Sequence, residues 1–483
     1  MDTVQGRRRF LVLGICCVSV VVVVMDITIV NVALPAIRRD LGASEAGLQW
    51  TVDAYTLVVS SFLILGGSMA DRVGRRRVFQ VGLATFGLGS LLCAVASTIG
   101  FLIAARTVQA VGGAMLNPVA AAIVATTFSD RSQRARALGV FSSMTGLSMV
   151  LGPILGGFLV DGFGWHSIFW VNVPIVAAGV VCVARFVPES RAVRARTIDP
   201  VGQTLMVVVL GGVVFAIIES RRLGWTSPVI VGLFAAATLA ALGILAYEPR
   251  RTDPLLELRL FRSLPFSGAI LVSLFGACGF GAFQFLASQY LQDARGLTAL
   301  MAGACLAPLG VLVAVASPVT GWLIGARGPR LPLAISGSTL TLGGVAWLWL
   351  EPTTPLPAVI AGSLLFGVFL GTVIAPVTYT AVSGMPYSMA ALATSLPSAA
   401  RQTGTALGVA ISGTIVGPAL AAGPTAFTRA SHDVSWMVLA LGAGIVTLAL
   451  VSTGRRARAT ATRAAALFEP MADEVVRQPV PSG

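Results

Sequence analysis

Four charged residues lie inside stretches that are otherwise apolar, and they are the residues best able to do chemistry in this chain. They are Asp26, Asp53, Arg106 and Arg401, the last followed by Gln402. A charge at the centre of a bilayer costs about 2.5–3.5 kcal/mol on insertion scales, so each one needs water, a partner or a bound proton. A buried carboxylate that holds either a proton or a cation can exchange one for the other, which is the chemistry of antiport.

Asp26 lies in the segment Met25–Pro35 of the first apolar stretch. It is about eleven residues from the outer end of that stretch, or about 16 Å at 1.5 Å per residue. That depth is near the midplane of a bilayer, and we expect Asp26 to be the main proton-binding group. The alternative is a structural aspartate that bonds the backbone near the bend at Pro35.

Asp53 and Arg106 lie at similar, shallower depths in the second and fourth apolar stretches. The two could therefore meet, either as a second acidic site with a gated ion pair or as a permanent structural pair. An arginine cannot lose its charge, so Arg106 could set the proton affinity of a neighbouring carboxylate. Its alternative role is to clamp two helices together.

Arg401 and Gln402 lie about ten residues from the cytoplasmic end of the thirteenth stretch, by the same helical rise. Arg401 could pair with a carboxylate, bind a substrate or clamp helices. The six cysteines all lie in apolar runs, and His166 and His432 are predicted in outer loops. No metal-ligand spacing and no cofactor motif is visible, so the sequence predicts neither a metal nor a cofactor.

A short charged loop, Gly67–Arg77, separates the second and third apolar stretches. Two glycines permit close approach and positive φ at its bends, and an aspartate can bond the neighbouring arginines or cap the next helix. The arginines favour the cytoplasmic side, as they would in any positive-inside loop. The residues that we expect to matter are Gly67, Asp71, Arg72, Gly74, Arg75 and Arg76.

The fifth apolar stretch contains a proline among glycines. Pro153 removes a helical hydrogen bond and bends the helix, while Gly152, Gly156 and Gly157 let another helix pack closely. These four residues are interpreted as a seam or hinge. The alternative is ordinary tight packing.

Composition determines the class of protein. The chain has 483 residues, of which 56% are hydrophobic and 11% charged, with a mean hydropathy of +0.87. A soluble protein of this length needs more charged surface, so the composition indicates a multi-pass membrane protein. The net charge of +13 is spread over short loops and does not indicate nucleic-acid binding. The predicted spans are 10–36, 48–70, 78–96, 101–125, 137–160, 168–187, 201–219, 227–247, 265–290, 299–323, 331–350, 356–383, 391–419 and 434–452.

The even number of predicted spans puts both chain ends on one side. Most loop arginines fall on that side, which predicts cytoplasmic termini. The segment Gly321–Arg330 repeats the glycines and final arginine of Gly67–Arg76 eight helices later. A transporter of two six-helix halves would repeat after six. We therefore predict an all-α fold of order 6 + 2 + 6. Its parts are residues 1–188, a two-helix linker at 189–263, residues 264–452, and a disordered cytoplasmic tail at 453–483.

From Asp26 to about Gly417, the chain resembles the fourteen-helix drug:proton antiporters of the major facilitator superfamily. The resemblance rests on four ordered stretches, with Ala110 and Ser148 standing where the family usually has glycine. These stretches are Asp26–Pro35, Gly67–Arg77, Arg106–Gly113 and Gly152–Gly157.

The resemblance implies a monomeric, proton-coupled exporter of amphipathic drugs or antibiotics in the cytoplasmic membrane, with no enzymatic activity. Asp26 would carry the proton and Arg106 would set its proton affinity. The charged loop would latch the halves on the cytoplasmic side. Asp53 resembles the second acidic residue of members that export multivalent cations, which favours cationic substrates. The alternative is a dedicated exporter of an endogenous secondary metabolite or lipid.

Overall fold

The computed structural model describes residues 2–128, 130–191, 199–251, 254, 256–383 and 390–467. Those residues are helical, with no strand among them, and 14 helical segments are long and apolar enough to cross a membrane. The predicted number of spans and the multi-pass character are confirmed. The helices are α1 (Asp2–Leu41), α2 (Glu45–Val73), α3 (Arg75–Ala94), α4 (Ile99–Thr127), α5 (Arg131–Phe163), α6 (Ser167–Trp170), α7 (Asn172–Phe186), α8 (Pro200–Leu223), α9 (Pro228–Tyr247), α10 (Leu264–Gln289), α11 (Ala299–Arg327), α12 (Arg330–Leu348), α13 (Leu356–Val382), α14 (Ala390–Ala421), α15 (Pro424–Ser452) and α16 (Arg455–Ala466).

Short polar side chains begin many of these helices. Each accepts the backbone N–H three residues further on, which satisfies a donor that the helix itself leaves unpaired. The capping residues of this kind include Ser44, Thr98, Asp130, Asp199, Ser227, Ser263 and Thr298. Several helices end at a glycine with positive φ, for example Gly74 at +124° and Gly328 at +78°. These signals explain why adjacent spans are joined by so few residues.

The spans pack in the predicted order 6 + 2 + 6. Helices α1–α7 form one bundle, which supplies six spans because α6 and α7 share one, and α10–α15 form the other. Between them in sequence, α8 and α9 form a hairpin, and α8 packs against both α2 and α14. The boundaries predicted between these parts in the sequence stay predictions.

Because the spans alternate in direction, the bundle has two ends. We call the end that holds the start of α1 and the end of α15 the terminal face, and the opposite end the distal face. The two bundles meet along two helix pairs, α2 with α14 and α5 with α11. These pairs position the candidate site described below.

One boundary prediction was wrong. The last span begins at Pro424, not at 434, because the ten preceding residues continue the helix and bury Phe427 and Ser431. His432 therefore lies on α15, where its Nε2 is 3.1 Å from the carbonyl oxygen of Leu350, and not in a loop. A proline at the first helical position is a good helix start that hydropathy alone does not reveal.

The tail was predicted to be disordered, and this prediction was wrong for Arg455–Ala466, which form α16. This helix buries Ala457 and Ala461 against the bundle, and the Thr460 hydroxyl accepts the Leu264 backbone N–H at 3.0 Å. The polar composition of this stretch favoured disorder, but its alanines recur at helical spacing. The remaining part of the predicted tail, 468–483, lies outside the described residues.

Candidate functional site

Asp26 and Arg106 form an ion pair in the interior of the first bundle. One carboxylate oxygen of Asp26 accepts a hydrogen bond of 2.5 Å from Nη1 of Arg106. The two side chains are 0% and 1% exposed. Arg106 also donates to Oε1 of Gln109 at 2.6 Å and, through Nε, to the Thr51 carbonyl at 3.1 Å. Such a pair needs these additional bonds because each ion has lost its water.

The second oxygen of Asp26 is bound as well. It accepts from Nε2 of Gln109 at 2.8 Å and from Nδ2 of Asn172 at 3.0 Å. Nε2 of Gln109 also donates to the Ser90 hydroxyl at 2.8 Å. We call Asp26, Ser90, Arg106, Gln109 and Asn172 the first-bundle polar cluster. Its members come from α1, α3, α4 and α7, so the cluster is contained in one bundle and its charge is balanced.

This geometry decides between alternatives that the sequence left open. Asp26 was expected to need water, a cation or a bound proton, and in the structure its partner is the cation Arg106. Asp53 and Arg106 were expected to be able to meet, and they do not. The guanidinium of Arg106 lies 4.3 Å from the ring centroid of Tyr55, so α2 presents Tyr55 to α4. Asp53 lies two residues before Tyr55 on α2. Its side chain is therefore turned by about 200° and points away from α4.

Asp53 is buried at the contact between the two bundles. It is 0% exposed. Gln49, one turn before it on α2, packs against Gly413 of α14, and Ser60, two turns after it, lies 3.5 Å from Thr403 of α14. Residues four and seven apart share one helix face, so Asp53 lies on the face of α2 that meets α14.

Neither carboxyl oxygen of Asp53 has a hydrogen-bond partner among the described residues. The Thr56 hydroxyl lies beside the carboxyl but donates to the backbone carbonyls of Val52 and Asp53, at 3.4 and 3.3 Å. An unpaired carboxylate buried in this way is very costly, whereas a neutral carboxylic acid is much less so. Because Asp53 lies at the contact between the bundles, the cost of charging it depends on whether that contact is closed.

Arg401 is exposed although it lies well inside α14, and Gln402 beside it is buried. Among the described residues, no carboxylate lies within ion-pair distance of Arg401. Of its predicted alternatives, a carboxylate partner is therefore not realised in this conformation.

The charged loop is tied to its own bundle and to the residues that directly follow α7. Asp71 accepts a hydrogen bond of 3.0 Å from Arg75. The Arg76 backbone N–H donates to Glu189 at 3.1 Å. A Cβ at Gly74 would lie 2.5 Å from the Glu189 carboxylate, so only glycine fits there. Within the described parts of the chain, no hydrogen bond or ion pair joins the loop to the second bundle, so the predicted latch stays a prediction.

The glycine-rich part of α5 packs in two directions. Cβ atoms at Gly152 and Gly156 would strike Thr28 and Ile29 of α1, in the same bundle. A Cβ at Gly157 would strike Leu300 of α11, in the other bundle. The Pro153 carbonyl occupies the space beside Gly303 of α11. These residues therefore form a seam between halves as well as a seam within one half.

Polar contacts close the distal face. Arg38 of α1 pairs with Glu45 at 2.7 Å and, across the bundles, with Asp293 at 3.2 Å. Asp161 of α5 accepts the first backbone N–H groups of α11 at 3.2 and 2.8 Å. The Gln292 amide donates to the Val32 carbonyl at 2.8 Å. Hydrogen bonds between the bundles, counted over the described residues, lie in the distal half or near the midplane.

Three members of the first-bundle polar cluster and one linker residue were missed from the sequence. Gln109 follows Arg106 by three residues, a spacing that places both on one helix face and was available as a signal. Asn172 and Ser90 carry no such local signal. The linker residue is Glu219, which accepts a hydrogen bond of 3.2 Å from the Trp50 indole and so joins α8 to α2.

Comparison with known proteins agrees with this architecture. A model of the Major Facilitator Superfamily matches residues 16–409. The chain is 34% identical over 419 residues to the multidrug resistance protein Stp of Mycobacterium tuberculosis, covering 86% of this chain and 78% of that one. It is 34% identical to the tetracenomycin C resistance and export protein of Streptomyces glaucescens, covering 83% and 74%.

Among solved structures, a POT family transporter in complex with 5-aminolevulinic acid is similar in fold. The TM-score is 0.65 at 14% identity, covering 95% of this chain and 96% of that one. The family match spans most of the chain, and the described helices have the arrangement that the family requires. The chain therefore belongs to the major facilitator superfamily, and it is a membrane transporter and not an enzyme.

Proposed function

We propose that this protein exports amphipathic drugs or antibiotics across the cytoplasmic membrane in exchange for protons. The observation that carries the proposal is the pair of buried acids in different settings. Asp26 has an arginine and two amides as partners within one bundle. Asp53 has none among the described residues and lies where the two bundles touch.

Asp53 is the better candidate for the coupling proton. When α2 and α14 are in contact, its carboxyl is shut off from water and is stored as the neutral acid. When substrate enters from the cytoplasmic side, the proton leaves Asp53 to the cytoplasm. When the helices then part on the distal side, water solvates the carboxylate, the substrate leaves, and a proton from outside binds in its place. Return to the closed arrangement then requires a proton, which links proton uptake to the movement of the bundles.

Asp26 receives a different role from the one that its sequence position favoured. Its charge is already balanced by Arg106, and no described contact connects it to the second bundle. We assign the first-bundle polar cluster to holding α1, α3, α4 and α7 together during rocking. Arg106 also fixes Tyr55 and, through it, the rotation of α2 that points Asp53 at α14.

The orientation and cycle follow from charge and geometry. The arginine-rich loops favour a cytoplasmic position for the terminal face and both chain ends. The conformation described here is closed at the distal, outer face. The loop Gly67–Arg77 would latch the bundles when the cytoplasmic side closes, and the seam at Gly152–Gly157 would open in that state. A monomer suffices for this cycle, with protons, an amphipathic substrate and the bilayer as partners.

A dedicated exporter of an endogenous metabolite remains the second candidate. The relative from Streptomyces glaucescens is named for both resistance to and export of one compound, tetracenomycin C. Growth challenge with a compound panel separates the two. Resistance to many unrelated compounds favours the broad exporter, and resistance to one compound favours the dedicated one.

Proton-driven transport in liposomes tests the proposal. The purified protein is reconstituted and an imposed pH gradient drives uptake of a fluorescent amphipathic dye. We expect Asp53→Asn to abolish the dependence on the gradient. Asp433→Asn serves as the matched control, because Asp433 is an exposed acid on α15. Gradient-driven uptake that is unchanged in Asp53→Asn would refute the assignment.

A further inference from the structure

The charges in the membrane interior do not cancel. The chain has 20 carboxylic residues, and among those that the structure describes, Asp26 and Asp53 are the two that lie inside the spans at 0% exposure. The arginines at comparable positions are Arg106 and Arg401. Asp26 is neutralised by Arg106 at 2.5 Å. Asp53 is unpaired and buried, and for it we keep the neutral form proposed above. Arg401 is the charge that remains uncompensated.

The faces of α14 show where Arg401 points. Gly404 and Gly408 pack against α10, while Thr403 and Gly413 face α2. At 100° per residue, Arg401 lies at the edge of the α10 face, about 20° from Gly408, and about 140° from Thr414, whose hydroxyl bonds to Ile217 of α8. Helices α10 and α2 continue past this level toward the terminal face, to Leu264 and Val73. From its exposure, and from its position on the side of α14 away from α8, we infer that Arg401 faces the space between the bundles.

No acid of the second bundle can reach Arg401. Between residues 294 and 432 the sequence holds a single carboxylic residue, Glu351, which lies beyond the distal end of α12. Asp53 is level with about residue 409 of α14, judged from the contacts of Gln49 and Ser60. That leaves roughly 12 Å along the helix axis between Asp53 and Arg401.

We propose that Arg401 binds an anionic group of the exported substrate, so that the preferred cargo is an amphipathic acid and not a cation. A guanidinium offers a carboxylate two parallel hydrogen bonds, and it cannot avoid the demand for a partner by losing a proton. The inference rests on the proposed export function. It also reverses the expectation, drawn from Asp53, that the substrate is cationic.

The proposal has an electrical consequence. An anion that leaves the cell while one proton enters moves two elementary charges in the same sense. A neutral substrate would move one, and a monovalent cation none. The membrane potential acts on each charge moved, so export of an acid would depend most steeply on the potential.

Binding of two dyes with a related ring system tests the assignment. Fluorescein, an amphipathic anion, and rhodamine 6G, a cation, are titrated against the full-length protein in detergent. We expect the wild type to bind fluorescein more tightly. Arg401→Gln should weaken fluorescein binding by about 10- to 100-fold, Arg401→Lys by less, and neither should weaken rhodamine binding. Arg327→Gln, which removes an exposed arginine at the end of α11, is the matched control.

Other outcomes overturn the inference. Fluorescein binding that is unchanged in Arg401→Gln, or absent from the wild type, would show that Arg401 is not an anion-binding site. An equal loss of affinity for both dyes would show that Arg401 only supports the structure. Because binding is measured without a gradient, failure here is separate from failure of proton coupling. In liposomes, fluorescein export that does not steepen with an imposed potential also contradicts the proposal.

Discussion

Neutralising one member of the buried ion pair is expected to destabilise the first bundle. In Asp26→Asn, the side chain keeps its shape, but Arg106 keeps a charge with no counterion at 1% exposure. Removing one partner of a buried pair costs about 3–5 kcal/mol. The amide oxygens and carbonyl that remain around Arg106 cannot replace a carboxylate.

That free energy converts into a measurable shift in melting temperature. With an unfolding entropy of about 2.1 cal/mol/K per residue, it corresponds to about 3–5 °C if the whole chain unfolds as one unit. If the first bundle unfolds by itself, the shift is about 8–13 °C. Cys16, Cys17, Cys93 and Cys278 are buried and unpaired, so a thiol-reactive fluorophore reports unfolding of the protein as it stands.

Two further variants make this prediction decisive. The double variant Asp26→Asn with Arg106→Gln removes both charges and should recover most of the lost stability, since no uncompensated ion remains. The free energy of unfolding of Asp53→Asn should lie within about 1 kcal/mol of the wild-type value, because Asp53 has no described hydrogen bond to lose. An unshifted Asp26→Asn variant, or a double variant no better than the single one, would refute the pairing.

Three other substitutions test the packing that closes the bundles. Gly157→Val should leave the protein folded but block closure of the distal face, because any Cβ there strikes Leu300 of the other bundle. We expect the rate of export to fall while the expression level stays unchanged. Gly74→Ala should destabilise the charged loop by about 1–3 kcal/mol, since φ is +124° and a Cβ would meet the Glu189 carboxylate; melting temperature and limited proteolysis measure this. Arg38→Gln removes two ion pairs of the distal face and should increase labelling of a cysteine placed at position 53 from the outer side.

Matched controls exist for each of these substitutions. Gly162 and Gly325 have open space around their Cβ positions, so Gly162→Ala and Gly325→Ala should change neither export nor stability. Arg429→Gln removes an exposed arginine of α15 and should not alter labelling at position 53. Equal effects in a variant and its control would show that the named contact is not responsible.

The sequence predicted the properties that depend on local composition. Fourteen spans, short connections and the deep placement of Asp26 follow from hydropathy and helical rise. It could not predict which acid Arg106 would meet. Depth along a span gives the height of a residue but not its direction, and two residues on α2 turn the side chain by about 200°. Tyr55 therefore faces α4 while Asp53 faces α14.

Other features depend on residues that are distant in the chain. The amide of Asn172 reaches Asp26 across 146 positions, and no local pattern indicates that contact. The position of α8 over the α2–α14 contact likewise could not be read from its composition, which is apolar on most faces. Helix α16 was missed for a different reason: its alanines are too small to register as a hydrophobic stripe beside several arginines.

The protonation state of Asp53 in the closed conformation is the most direct test of the account. Infrared difference spectroscopy on lipid-reconstituted protein detects the C=O stretch of a protonated carboxyl and its loss when substrate is added. The account predicts a band in the wild type that persists in Asp26→Asn and is missing in Asp53→Asn. A band that survives in Asp53→Asn and disappears in Asp26→Asn would contradict it.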